Sequence, residues 1–248
     1  MFEALSIQTV IISYVALLFS LCVHEASHAT AAYLLEDDTA ARMGRMSLNP
    51  LVHIDPIGTV LFPLIGMTTG FPLIGWAKPV PYNPNRFTRK VTMRTGAALV
   101  SAAGPVSNVV LCILFFLVTT LVLRFSVAEP IDRLDLFFAG LNGPRAFAHS
   151  TVPPSQMVLL SLAGRLILIN LVLAIFNLIP LGPLDGGGIL KGFLPYSATQ
   201  WFDRHQRTMM IILIIIVMVP FLSNLIIAPI FRVAMWPILP LARLILGA

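Results

Sequence analysis

Polar residues are sparse along this chain and gather in short clusters between long apolar runs. A helix that crosses a bilayer needs about 20 mostly apolar residues. Segments 7–33, 97–123, 157–181 and 209–231 meet that length and are predicted to be transmembrane helices. A further apolar stretch, 57–76, is interrupted by Pro63, Gly66, Gly70, Pro72 and Gly75, which disfavour one straight helix. Irregular backbone at membrane depth persists only where protein or a watery cavity covers it, so 57–76 is predicted to re-enter rather than cross. The stretch from Trp76 to Pro81 reads as an extended, proline-fixed strand or tether. The tail 233–248 carries Pro237, Pro240 and Arg243 and is predicted to lie at the interface or dip into the bilayer. No repeat, low-complexity tract or linker to a second soluble domain is visible. The pattern specifies an all-α integral membrane protein of four to six transmembrane helices, with a re-entrant or β-like hairpin. It reads as a single polytopic domain over 1–248, with a core of 7–190 and C-terminal helices in 209–248.

Composition supports that class. The chain is 57% hydrophobic and 11% charged, against about 25% charged residues in a soluble domain. Its mean hydropathy is +0.89. A soluble secreted, disordered or nucleic-acid-binding chain is excluded, and the partner expected is the lipid bilayer, with no nucleic acid. Cys22 and Cys112 both lie in apolar runs and outline no disulfide framework. The first basic residue is Arg42, so the N-terminal run lacks the basic start of a signal peptide and reads as a retained span.

The net charge of +5 matters through its distribution. Arg42, Arg45, Lys78, Arg86, Arg89, Lys90 and Arg94 fall between the first two spans, and Lys191, Arg204 and Arg207 follow the third. The loop 124–156 instead balances Arg124, Arg133 and Arg145 with Glu129, Asp132 and Asp135. By the positive-inside rule, 34–96 and 182–208 are cytoplasmic, whereas the N-terminus and 124–156 are external. A multi-pass protein of the cell (plasma) membrane results.

Chemistry enters where the first span ends, in His24-Glu25-Ala26-Ser27-His28. Residues four apart share a helix face, so His24 and His28 can grip one ion. Glu25 lies beside the first ligand, placed to take a proton from water, as in H-E-x-x-H metalloproteases. A catalytic zinc site wants three protein ligands. Asp185 is the best candidate for the third, in a segment where Pro180, Pro183 and three consecutive glycines release the backbone from helix geometry. His53 is the reserve. His53 otherwise reads as a polar residue before an Asp55-Pro56 helix start. Gly104, with its small neighbours, lets helices approach closely in lipid. Asn108 shares its face and either braces another helix or holds substrate backbone. Asn170 and Asn177 extend a polar face toward Asp185. Arg165, inside the third span, either snorkels or pairs with a carboxylate of the outer loop, and His149 and His205 read as solvated.

Three motifs together resemble the site-2 protease family of intramembrane zinc metalloproteases: H-E-x-x-H at His24–His28, G-x-x-x-N at Gly104–Asn108, and Asn-x-x-Pro…Leu-Asp-Gly at Asn177–Gly186. The resemblance implies one Zn2+ per chain held by His24, His28 and Asp185, with Glu25 as catalytic base. It also implies substrates that are themselves transmembrane helices. Many members have proline where Gly182 stands here, and the PDZ or CBS domains that members often carry have no room in this chain. It therefore looks like a compact, core-only member. The competing class is a non-proteolytic metal-binding membrane protein, a transporter or pseudoprotease. A transporter would usually show related halves, which are missing, and a pseudoprotease would most simply lack Glu25, which is present. The oligomeric state stays open.

Overall fold

The computed structural model describes residues 7–69, 75–127, 130–147 and 152–247. Among them the structure is helical, without strands. The helices are α1 (Ile7–Leu34), α2 (Thr39–Arg42), α3 (Phe62–Thr69), α4 (Met93–Ser126), α5 (Pro130–Asn142), α6 (Pro154–Asn177), α7 (Asp185–Phe193), α8 (Tyr196–Arg204), α9 (Gln206–Met218), α10 (Pro220–Leu222), α11 (Ala228–Met235) and α12 (Ile238–Leu246). Glu129, His149 and residues 70–74 lie outside the described residues.

Three spans match the apolar runs, as α1, α4 and α6, and pack on one another to form the centre of the fold. The predicted third span overshoots, because α6 stops at Asn177 rather than 181. The chain leaves the helix ahead of Pro180, whose ring disfavours helical backbone in the residue before it.

The fourth span needs correction. Instead of one helix over 209–231, α9 ends at Met218, ahead of Pro220, and a π-helical turn at Ser223–Ile227 leads into α11. The length and hydropathy of a crossing belong to Pro220–Leu246. In the tail, α12 buries Ile238, Ala242 and Leu246, four residues apart, against α4 and α5. Arg133 holds its end by donating to the Leu246 carbonyl at 2.9 Å, and a cation suits the negative end of a helix.

The segment 124–156 contains a helix that charge counting does not reveal. Leu134, Phe137, Phe138 and Leu141 recur on one face of α5. Phe137 and Leu141 are buried in a cluster with Cys112, Phe116, Leu123 and Ile167. Among the described residues, Arg165 donates to the Asn142 carbonyl at the end of α5, 3.2 Å away, and pairs with no carboxylate.

The stretch 57–76 does return to where it starts. Asp55 caps a π-helical turn, Pro56–Leu61, by accepting from the Ile57 and Gly58 amides, and α3 follows. Trp76 then donates its N–H to the Gly58 carbonyl at 3.1 Å, so both ends of the excursion lie at one level. Residues 75–83 form an extended strap rather than a β-hairpin strand. One side of it is bonded to the preceding loop, with Lys78 N–H donating to the His53 carbonyl at 2.9 Å and Arg45 donating to the Lys78 carbonyl.

The end of α1 anchors this strap. Glu36 adopts the left-handed conformation, and the Glu36 and Asp37 amides fold back to the Tyr33 and Ala32 carbonyls, a Schellman stop. Asp37 is thereby turned inward and buried, where its carboxylate accepts from the amides of Thr39 at 3.1 Å and Asn83 at 2.6 Å. Burial alone would raise the Asp37 pKa, but these hydrogen bonds and nearby Arg86 hold it below the usual carboxylate range.

Candidate metal and catalytic site

The site forms where α1, α4 and α7 meet. One turn of α1 separates His24 from His28, and their rings pack edge to face with centroids 4.7 Å apart. His24, Glu25 and His28 are all buried. Asp185 is the first residue of α7, and its Oδ2 lies 3.1 Å from His24 Nε2 and 3.4 Å from His28 Nε2. The two Nε2 atoms are 3.0 Å apart. In a tetrahedral site with bonds of about 2.0–2.1 Å, neighbouring ligand atoms lie roughly 3.3 Å apart. The three ligand atoms therefore have the spacing that one zinc ion requires.

Hydrogen bonding explains why these atoms face one another. His28 Nδ1 lies 2.6 Å from the Val100 carbonyl, which can only accept, so Nδ1 carries the proton. His24 Nδ1 lies 2.6 Å from Asn108 Oδ1 and donates in the same way. Both Nε2 atoms are then bare lone pairs, aimed at each other and at a carboxylate. Without a cation that arrangement is repulsive, and with one it is a ligand set. The residues fit zinc on this ground.

The His24 orientation is supported several residues deep. Asn108 donates to Asn170 Oδ1 at 2.8 Å, Asn170 donates to Ser20 Oγ at 2.9 Å, and Ser20 donates to the Ala16 carbonyl at 2.8 Å. Asn108, Asn170 and Ser20 are fully buried. Such outer partners set tautomer and ring direction in metal sites. Asn108 makes contacts that suit the bracing role, to His24 on α1 and Asn170 on α6. Asn170 joins the same chain. Asn177 does not, because its amide nitrogen donates to the Leu173 carbonyl of its own helix at 3.0 Å. Ser20 was not singled out from the sequence, although its place one turn before His24 within an apolar run is a legible signal.

Four glycines are explained by close approach. A Cβ on Gly104 would overlap Nε2 of both His28 and His24, so α4 passes against the ligand atoms themselves. The glycines after Asp185 act differently from the sequence expectation: Gly186, Gly187 and Gly188 are helical within α7 rather than turn-forming. A Cβ on Gly186 or Gly187 would collide with the backbone of 178–182, and one on Gly188 would meet Ser101. Their lack of side chains lets α7 dock tightly enough to bring Asp185 to the imidazoles.

Gly104→Ala is accordingly expected to displace both rings. Zinc affinity should fall on the order of a hundredfold, while alanine favours the helix itself by about 1 kcal/mol. Elemental analysis and a melting curve in detergent separate these effects, and a variant with full zinc would contradict the close approach.

Among the described residues, His24, His28 and Asp185 are the one set of ligand side chains that converges for a metal. His53 is not in it. Tyr82 comes to the same mouth from the strap, near enough to Ser101, Lys191 and Asp185 to sense them. Burial raises its phenol pKa.

Comparison with known proteins agrees with this geometry. The sequence profile described as Peptidase family M50 matches residues 12–220. A Bacillus subtilis (strain 168) protein named "Putative zinc metalloprotease YwhC" is 32% identical over 229 residues, covering 92% of this chain and 86% of that protein. A Mycolicibacterium smegmatis (strain ATCC 700084 / mc(2)155) protein named "Putative zinc metalloprotease Rip2" is 26% identical over 207 residues, covering 84% of this chain and 66% of that protein. No solved structure matches.

Proposed function

We propose, given that this chain belongs to peptidase family M50, the site-2 protease family, that His24, His28 and Asp185 hold its zinc ion and Glu25 is its catalytic base. The protein is an intramembrane zinc metalloprotease. The observation that carries the residue assignment is the pair of Nε2 lone pairs 3.0 Å apart, both rings being committed through Nδ1 to acceptors.

When bound, zinc would acidify a coordinated water and polarise the scissile carbonyl. The chain supplies the rest. Asn108 and the Val100 carbonyl hold the two imidazoles in the metal-binding tautomer. Glu25, buried beside His24, takes a proton from water and returns it to the leaving amide nitrogen. Asp185, where α7 meets α1 and α4, would offset part of the cation's charge. The purified protein should carry one zinc per chain by elemental analysis.

The substrates of this reading are transmembrane segments of other proteins, because His24 and His28 sit within a spanning helix. A substrate helix must unwind there, since its amides are otherwise tied up in intrahelical bonds. The site opens toward the cytoplasm of the plasma membrane in this reading, supported by the basic residues of 34–96 and 182–208. Single cysteines introduced at Asn85 and Asn142 should then label from opposite sides of the membrane. Labelling from one side would overturn the orientation and leave the metal assignment standing.

A further inference from the structure

The two imidazoles are fixed by unequal means. His28 Nδ1 donates to the Val100 carbonyl, a backbone acceptor that cannot turn over. His24 Nδ1 faces a side-chain amide, that of Asn108, at 2.6 Å. An amide presents an oxygen on one edge and an NH2 group on the other, and its neighbours decide which way round it sits. Turned over, Asn108 would offer His24 a donor. Nδ1 would then have to accept, the ring proton would sit on Nε2, and that nitrogen would have no lone pair for a cation. The metal-binding tautomer of His24 therefore depends on what holds Asn108.

That hold comes from α6. The Leu166 carbonyl can only accept, so the amide nitrogen of Asn170 faces it, at 2.8 Å. The same NH2 group donates to Ser20 Oγ at 2.9 Å, and the Ser20 proton is itself committed to the Ala16 carbonyl. With both N–H bonds used, Asn170 has only Oδ1 to turn toward Asn108, which donates to it from Nδ2 at 2.8 Å. The other acceptor near that group, the Ser20 carbonyl, is 3.5 Å away and weak. A flipped Asn108 would set its oxygen against Asn170 Oδ1 with no proton between them. Both asparagines are 0% exposed, so bulk solvent does not relieve such a contact.

We infer that Asn170 is a positioning residue for the metal: it relays the fixed polarity of the Leu166 carbonyl through Asn108 to His24, and so tunes zinc affinity from outside the ligand set. This rests on His24 as a ligand. The bonds of Asn170 go to Asn108, Ser20 and Leu166, and none goes to a ligand. Its control reaches one imidazole only. Without Asn170, Asn108 is free to turn over and His24 loses its preferred tautomer, while His28 keeps the Val100 carbonyl and is unaffected.

Two substitutions in the full chain, purified in detergent, separate this role from scaffolding. Asn170→Leu keeps the volume and removes the acceptor. Asn170→Asp keeps an oxygen opposite Asn108 Nδ2 but sets another against the Leu166 carbonyl, so it should melt lower than wild type. The zinc-stripped proteins are labelled with 15N at histidine for NMR, and the His24 signal is identified by its loss in His24→Ala. It should report a proton on Nδ1 in wild type and in Asn170→Asp. In Asn170→Leu it should move toward the Nε2–H form, with the His28 signal unchanged. Zinc affinity, measured with the metal alone against a chelator, should fall roughly 10- to 100-fold in Asn170→Leu and less in Asn170→Asp, against the order of melting temperatures. Where Asn170→Leu does not fold, Asn170→Ala supplies the same comparison. An unchanged His24 tautomer or wild-type zinc affinity without the acceptor would overturn the inference, as would loss of the Nδ1–H signal in Asn170→Asp. Wild-type zinc affinity in His24→Ala would instead refute His24 as a ligand, whatever Asn170 does.

Discussion

Asp185→Ala is expected to lose most of its bound zinc and all peptide cleavage. Oδ2 of Asp185 approaches both Nε2 atoms within 3.4 Å, and it brings the ligand set's one negative charge. Loss of outer partners alone typically weakens metal binding about 10- to 100-fold, so loss of a ligand should exceed that range. Asp185→Asn is the sharper probe. It keeps the shape that α7 packs around and removes only the charge, so zinc affinity should drop well below wild type with little change in melting temperature. His53→Ala should keep its zinc, since the ligand atoms converge without it. Elemental analysis of the purified variants reads all three. A loaded Asp185→Asn beside an empty His53→Ala would refute the ligand assignment.

Glu25→Gln should behave oppositely, holding one zinc per chain while cleavage collapses. Glu25 is buried next to His24 but contributes no atom to the converging ligands. Gln has nearly the same volume and cannot take up a proton, so the site should assemble and fail at the chemical step. General-base catalysis typically contributes about 10²- to 10⁴-fold, and kcat should fall by at least that much with KM nearly unchanged. Zinc content measured beside the rate of peptide cleavage tests this. A variant that cleaves at the wild-type rate would remove Glu25 from the mechanism, and one that loses its zinc would move it into the ligand set.

Much of this protein is legible in one dimension. Three spans follow from apolar runs, because a helix in lipid must satisfy its own backbone and present apolar side chains outward. The His24, Glu25 and His28 constellation is local, set by the helical spacing of four residues. The meeting of the two ends of 57–76 is seen in the bond from Trp76 N–H to the Gly58 carbonyl, whereas Pro63 and Gly66 lie within α3 without interrupting it. Periodicity falls short where the chain's last third is concerned. Pro220 splits an apolar run that looks continuous, and only packing on α4 and α5 decides that α12 enters the bundle. The helix α5 was hidden by its charges, although Phe137 and Leu141 carry its face into the core.

The site divides the same way. Sequence alone determined which residue types could hold a metal and on which face of α1 two of them stand. It left the third ligand open between Asp185 and His53, because ligands far apart in the chain meet only through packing. Tertiary structure brings Asp185 rather than His53 to the imidazoles, because α7, without side chains at Gly186 and Gly187, docks against 178–182. It also decided the tautomers, through Val100 and the Asn108–Asn170–Ser20 chain, since a ring's protonated nitrogen depends on an acceptor that another helix supplies. Gly104 is a small residue in the sequence. In the fold it is the point where any Cβ would overlap the ligand nitrogens, a constraint that arises only when α4 is laid against α1.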